Sequence, residues 1–145
     1  MKKHLSILLV SVLIFSLSAC AIPEQAEDPE KTMEILSEAE EITVHLYGEK
    51  EEKTLKLLVT EELLSLTEGK WEKASSRPDG KKVLTLTVGT QHEITYFEDG
   101  SVMIYYGYAS VFEKDRCYFN VTLDEGITKL YNWCRDNGTV PETEE

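Results

Sequence analysis

The chain has 145 residues, 41% of them hydrophobic, and sets 27 acidic side chains against 15 basic ones for a formal net charge of −12. That length accommodates one domain. The acid excess excludes nucleic acid as a partner, because displacing counterions needs lysine and arginine, and it speaks against direct docking on anionic lipid headgroups.

Met1-Lys2-Lys3-His4 is a short basic start, and Leu5 to Phe15 is apolar except for Ser6 and Ser11, the layout of a secretory leader. The run falls short of the about 20 apolar residues that span a bilayer. It ends in Leu17-Ser18-Ala19-Cys20, which resembles the lipobox of bacterial lipoproteins: an apolar residue, two small ones, then cysteine. The resemblance implies that residues 1–19 are a signal peptide cut before Cys20, whose sulfur receives a diacylglyceryl group with palmitate-like chains. Each buried CH₂ contributes about 0.8 kcal/mol, and two chains make a stable anchor. The implied location is extracytoplasmic, lipid-anchored to the cell membrane as at a Gram-positive cell surface, or to the outer membrane if the source has one, and Ala21 does not decide between them. The competing reading is an ordinary cleaved leader with a free cysteine nearby. Loss of Lys2 and Lys3 with the leader makes the remaining chain more negative still.

Once Cys20 is lipidated, Cys117 and Cys134 remain as an even pair in an exported chain, either bridged or buried as two thiols. Residues 20–41 read as the lipidated cysteine and an acidic tether, self-repelling and extended through AIPEQAEDPEK, with a helical turn or two within Thr32 to Glu41. Ile42, Val44 and Leu46 then alternate with polar residues, as do Leu55, Leu57 and Val59, giving a hairpin. Thr60 is placed to cap a short helix that Gly69 stops, and Trp71 covers the sheet edge or the helix end. Ser75 to Gly80 is a loop. Residues 82–108 read as a three-stranded meander turning at Gly89-Thr90 and at Asp99-Gly100, the latter the strongest signal for a type I′ hairpin. Arg116 to Val121 is a further strand, and Thr122 with Glu125 forms a capping box. Ile127, Leu130, Tyr131 and Cys134 line one face of a helix that ends near Asn137-Gly138. Residues 139–145 read as a disordered tail. The resulting class is α+β: a mostly antiparallel sheet built as β-hairpin, helix, three-stranded meander, strand and helix, with the helices on one face of a domain spanning residues 42–138.

This domain resembles the YhfM-like domain of small lipoproteins from Gram-positive bacteria. The residues that carry the resemblance are the strand Ile42 to Tyr47, the helix running into Glu68-Gly69-Lys70-Trp71, the strands around Thr95 to Ser101, and the closing strand and helix from Cys117 to Cys134. The resemblance implies a fold and a location, and no activity.

No catalytic constellation is legible. His45 and His92 lie on strands without the HxH or CxxC spacing of a metal site, so no metal or cofactor is expected. Ser101 and Ser110 lack the GxSxG elbow of a hydrolase. Glu93, Glu98 and Asp99 offer paired carboxylates, though two of them sit at a turn. Tyr96, Tyr105, Tyr106, Tyr108 and Tyr118 cluster in the later strands. They form either a binding face, tyrosine giving contact area at low entropy cost, or cross-strand pairs that stabilise an open sheet surface. The expected function is that of a monomeric, non-enzymatic interaction module at the cell envelope, held to the membrane through Cys20 and meeting an envelope protein or ligand. The alternatives are a small hydrolase using the Glu93 region and an inhibitor that inserts the Ser75 to Gly80 loop into an extracellular enzyme.

Overall fold

The computed structural model describes residues 29–90, 92–106 and 116–142. The leader, the lipobox, Ser110, Tyr108 and the side chain of Tyr106 lie outside the described residues. In chain order the elements are α1 (Pro29–Glu38), β1 (Glu41–Tyr47), β2 (Glu52–Leu58), α2 (Glu61–Leu66), β3 (Gly69–Lys73), β4 (Lys82–Val88), β5 (His92–Phe97), β6 (Ser101–Tyr106), β7 (Arg116–Leu123) and α3 (Ile127–Asn137). The fold is α+β. One seven-stranded sheet runs in the order β2-β1-β4-β5-β6-β7-β3, and every adjacent pair is antiparallel.

Period-2 alternation builds the sheet's inward face. Ile42, Val44 and Leu46 of β1 are at most 2% exposed. The register carries that face across the sheet from Val44 to Leu86, Ile94, Ile104 and Cys117 in turn. The buried side chains of the helices, Leu36, Leu63, Leu66, Leu130 and Cys134, join the same cluster. Burying one such leucine contributes roughly 1.5–3 kcal/mol. No helix among the described residues is long and apolar enough to cross a membrane.

The folded unit begins earlier than Ile42. Helix α1 occupies the second half of the expected tether and buries Thr32 and Leu36. Pro29 suits its first turn, where a missing N–H costs nothing. Only two of its ten residues are buried, so its composition reads as solvated even though one turn of it is core. Strand β3 is likewise additional. Gly69 does not stop α2, which closes at Thr67 as its hydroxyl donates to the Leu64 carbonyl at 2.7 Å. Instead Gly69 opens β3, where a Cβ would stand 2.3 Å from the Thr122 carbonyl oxygen. Trp71 is part of the edge strand itself, paired with Val121 and edge-on to Phe119 at 5.8 Å.

The Thr60 cap forms as expected, its hydroxyl accepting from Leu63 N–H at 3.2 Å. The capping box does not. Thr122 is held in β7 opposite Lys70, and α3 starts five residues later behind Gly126, which has φ +85 and no side-chain cap. The Asp99-Gly100 hairpin is not type I′, because Asp99, like every described residue other than glycine, lacks a positive φ. Gly100 N–H donates to the Phe97 carbonyl and Gly100 has φ +84, the three-residue loop with a left-handed glycine at its close. Beyond α3, Thr139 is ordered against β2, exchanging backbone hydrogen bonds with Lys56 at 2.7 and 2.8 Å. Gly138 stands between them in extended conformation, where a Cβ would lie 2.8 Å from the Leu55 side chain.

Candidate functional site

The residues that alternate with the core rows form a second face. Glu93, Tyr105 and Arg116 stand in one row across β5, β6 and β7. Thr85, Thr95, Met103 and Tyr118 form the next, and Lys82 stands opposite Phe97 in a third. This face has its own polar spine: Thr85 and Thr95 hydroxyls lie 2.9 Å apart, and the Tyr47 hydroxyl reaches Thr85 at 3.3 Å.

Residues 74–81 turn the face into a cleft. They leave β3 at the far edge of the sheet and enter β4 at its centre, so they pass β7, β6 and β5, a span of about 19 Å at ordinary strand spacing. Both ends are pinned: Ala74 N–H donates to the Tyr118 carbonyl, and Glu98 N–H donates to the Lys81 carbonyl, each at 2.9 Å. Between them, Arg77 to Gly80 wall a cavity of about 570 Å³ floored by Phe97, Met103 and Tyr105, with Lys82, Glu93 and Arg116 around it. Phe97 is only 6% exposed although it points away from the helices, because it lies beneath this strap. The loop expected at Ser75 to Gly80 is therefore a wall of the site.

Arg77, Lys82 and Arg116 line the cleft together. None of them forms an ion pair with a described carboxylate, although acids outnumber bases nearly two to one in the chain. The Lys82 ammonium lies 5.5 Å from the Tyr47 ring centroid and the Arg116 guanidinium 5.7 Å from that of Tyr105, contacts worth about 0.5–1 kcal/mol at exposed sites. Arg116 Nε and the Tyr118 hydroxyl are buried without a hydrogen-bond partner.

The expected tyrosine face is only partly assembled. Tyr105 and Tyr118 are half-buried on the outward rows. Tyr96 leaves the set, since it is 1% exposed on the core face, paired with Leu84 and Val102. Burial, reinforced by Cys134 beside it, pushes its phenol pKa up. The register puts Tyr106 opposite His92. Phe97, Met103, Lys82 and Arg116, which the sequence did not single out, complete the cleft. Their signal was available only as outward positions in strands, which any polar surface shares.

The other candidates do not converge. His45 faces outward and meets Thr54 at 2.9 Å and Glu52 at 3.1 Å, whereas His92 lies on the inward rows, its pKa lowered by burial. Among the described residues, no three His, Cys, Asp or Glu side chains gather as a metal site would require. Glu93 lines the cleft, but Glu98 and Asp99 are exposed at the β5–β6 turn. Hydrogen bonds from Ser101 hold the Asp99 carboxyl below its ordinary value, its N–H donating at 2.9 Å. The three carboxylates therefore form no acid and base pair. Cys117 and Cys134 are not joined by a disulfide, so no bridge closes the loop between them. Burial pushes the Cys134 thiol up to about 12.

A larger groove of about 700 Å³ lies between α1, α2 and β3, walled by Met33, Leu64 and Trp71 and rimmed by Glu30, Glu68 and Asp124. No cation lines it. In comparison with known proteins, no family model matches the chain, and neither a curated protein nor a solved structure matches it.

Proposed function

We propose that the chain is a membrane-anchored extracytoplasmic lipoprotein, tethered through a lipid on Cys20, whose domain works as a non-enzymatic binding module. The helices cover one face of the sheet, and the opposite face, around Tyr105, Met103 and Arg116, receives the partner or ligand. The observation that carries this reading is the strap-walled cleft on that second face, where aromatic area and the cations Arg77, Lys82 and Arg116 meet. A core surface would be apolar throughout, and a plain solvated surface would not bury Phe97 to 6% exposure under a pinned loop. The tether places such a module at the membrane while its acidic surface keeps the domain off the headgroups.

Two measurements test it. Cys20→Ala moves the protein from the membrane pellet to the soluble fraction or leaves it uncleaved. A photo-crosslinking residue at Tyr105 yields a discrete adduct in intact cells, whereas the same residue at Lys129, an exposed position on α3, yields none. Equal labelling from both positions would overturn the assignment of the face.

A further inference from the structure

We infer that the cleft under the strap binds a small organic monoanion with a flat apolar body, its charged group at Arg116 and its ring on Tyr105, Met103 and Phe97. The inference rests on the open-face reading above and adds the ligand's chemistry to it.

Size is the first argument. A cavity of about 570 Å³ lies inside the range of roughly 300–1,000 Å³ typical of small-molecule sites. Such sites combine an apolar floor with a few placed polar groups, and here the floor is Phe97, Met103 and Tyr105. Charge is the second. The chain carries 27 acidic side chains against 15 basic ones. Yet three cations that form no ion pair with a described carboxylate line one cavity, and an anion entering there supplies a partner to them.

The lining also sets the valence. Among the described lining residues, Arg77, Lys82 and Arg116 stand with Asp79 and Glu93, an excess of one positive charge, which a monoanion neutralises and a phosphate ester's two charges exceed. The protein's negative field does not forbid entry, because at physiological ionic strength it is screened over about 8 Å, while the cleft's own cations act at contact. Arg116 is the anchor. Its guanidinium stands against Tyr105 at 5.7 Å, so a planar carboxylate can meet it while the attached ring continues along the floor.

The test uses the full chain in lipid nanodiscs, with empty nanodiscs as the blank, and 2-naphthoate and its neutral amide as probes. Methionines carry carbon-13 methyl labels: Met103 is in the cleft floor and Met33 lines the other groove. The expected result is a saturable shift of the Met103 methyl with naphthoate, no shift at Met33, and binding of the amide at least about tenfold weaker. Arg116→Gln should lower the affinity for naphthoate to that for the amide and leave the amide unchanged, while Arg116→Lys restores part of the difference. Lys82→Gln, at an exposed position, should give a smaller loss in the same direction and serves should Arg116→Gln not fold. Equal affinities for acid and amide, a shift at Met33 alone, or no saturable shift at millimolar naphthoate would overturn the inference. A silent Met103 together with a Tyr105 crosslink in cells overturns the ligand class alone, whereas loss of both overturns the face.

Discussion

Thr85 and Thr95, opposite one another on β4 and β5, share a hydrogen bond of 2.9 Å between hydroxyls on residues that are 6% and 3% exposed. They hold the centre of the face opposite the helices. Thr85 has a second contact, the Tyr47 hydroxyl, and Thr95 has none other of this kind. Thr85→Val therefore strands the Thr95 hydroxyl and should cost about 1–3 kcal/mol, whereas Thr95→Val leaves Thr85 a partner and should cost less. The double valine variant should cost less than the sum, because removing both hydroxyls leaves neither unsatisfied. Urea denaturation of the three variants measures the asymmetry and the coupling, and strict additivity would contradict the pairing.

Helix α1 belongs to the core through Leu36, which is fully buried. Leu36→Ala should destabilise the domain by about 2–5 kcal/mol, the range for emptying a leucine site. Ser37→Ala, on the exposed side of the same helix, should change stability by no more than about 0.5 kcal/mol. Chemical denaturation followed by tryptophan fluorescence separates the two. Equal small effects would return this segment to the tether.

Two glycines are required for different reasons. Alanine at Gly69 puts a methyl 2.3 Å from the Thr122 carbonyl oxygen, and the obstacle is backbone. The expected cost is at or above the upper end of the roughly 1–3 kcal/mol typical of overpacking, with β3 splaying from β7. Alanine at Gly89 meets nothing but keeps φ at +61, a strain of about 1–2 kcal/mol. Thermal melts should place Gly69→Ala well below Gly89→Ala, and hydrogen exchange should show Trp71 N–H protection lost in the first only.

Burial of Cys134 ties stability to alkaline pH. Its thiol is pushed from the ordinary 9.0 up to about 12, so the unfolded chain loses this proton first. Stability from this group is fully present below pH 9 and declines between pH 9 and 12, by at most about 1.4 kcal/mol per pH unit. Tyr96 acts in the same direction at higher pH, its pKa raised by burial and then by Cys134. The difference in unfolding free energy between the native chain and Cys134→Ala should therefore shrink as pH rises from 8.5 to 10.5. A constant difference would show that the thiol ionises alike in both states.

Strand positions with strong alternation were legible in the sequence because each repeats its own signal: Ile42, Val44 and Leu46 announce β1 three times over, and Leu130 with Cys134 announces α3. What escaped has no such redundancy. Strand β3 carries one apolar residue, Trp71, between charged neighbours, and its existence depends on β7 being there to pair with it. Helix α1 shows two inward residues in ten. Turn chemistry misled at Thr122 with Glu125, where register overrode the local rule, whereas Asp99-Gly100 does turn the hairpin and only the turn type differs. The candidate site was half visible. Tyr105 and Tyr118 were legible as strand aromatics, but Tyr96 alternates as they do, and only the core decides which side it faces. Residues 74–81 read as an ordinary loop because nothing in their composition says which strands they must cross.

That crossing also orders events in time. Trp71 pairs with Val121, about fifty residues later in the chain, while β1, β2, β4, β5 and β6 can already hydrogen-bond as soon as Tyr106 has been made. During synthesis the strap and β3 have no seat until β7 arrives, so the cleft is among the last features to close. A chain interrupted before Arg116 would retain most of its sheet and lose its site, exposing β6 as a raw edge open to pairing with another chain.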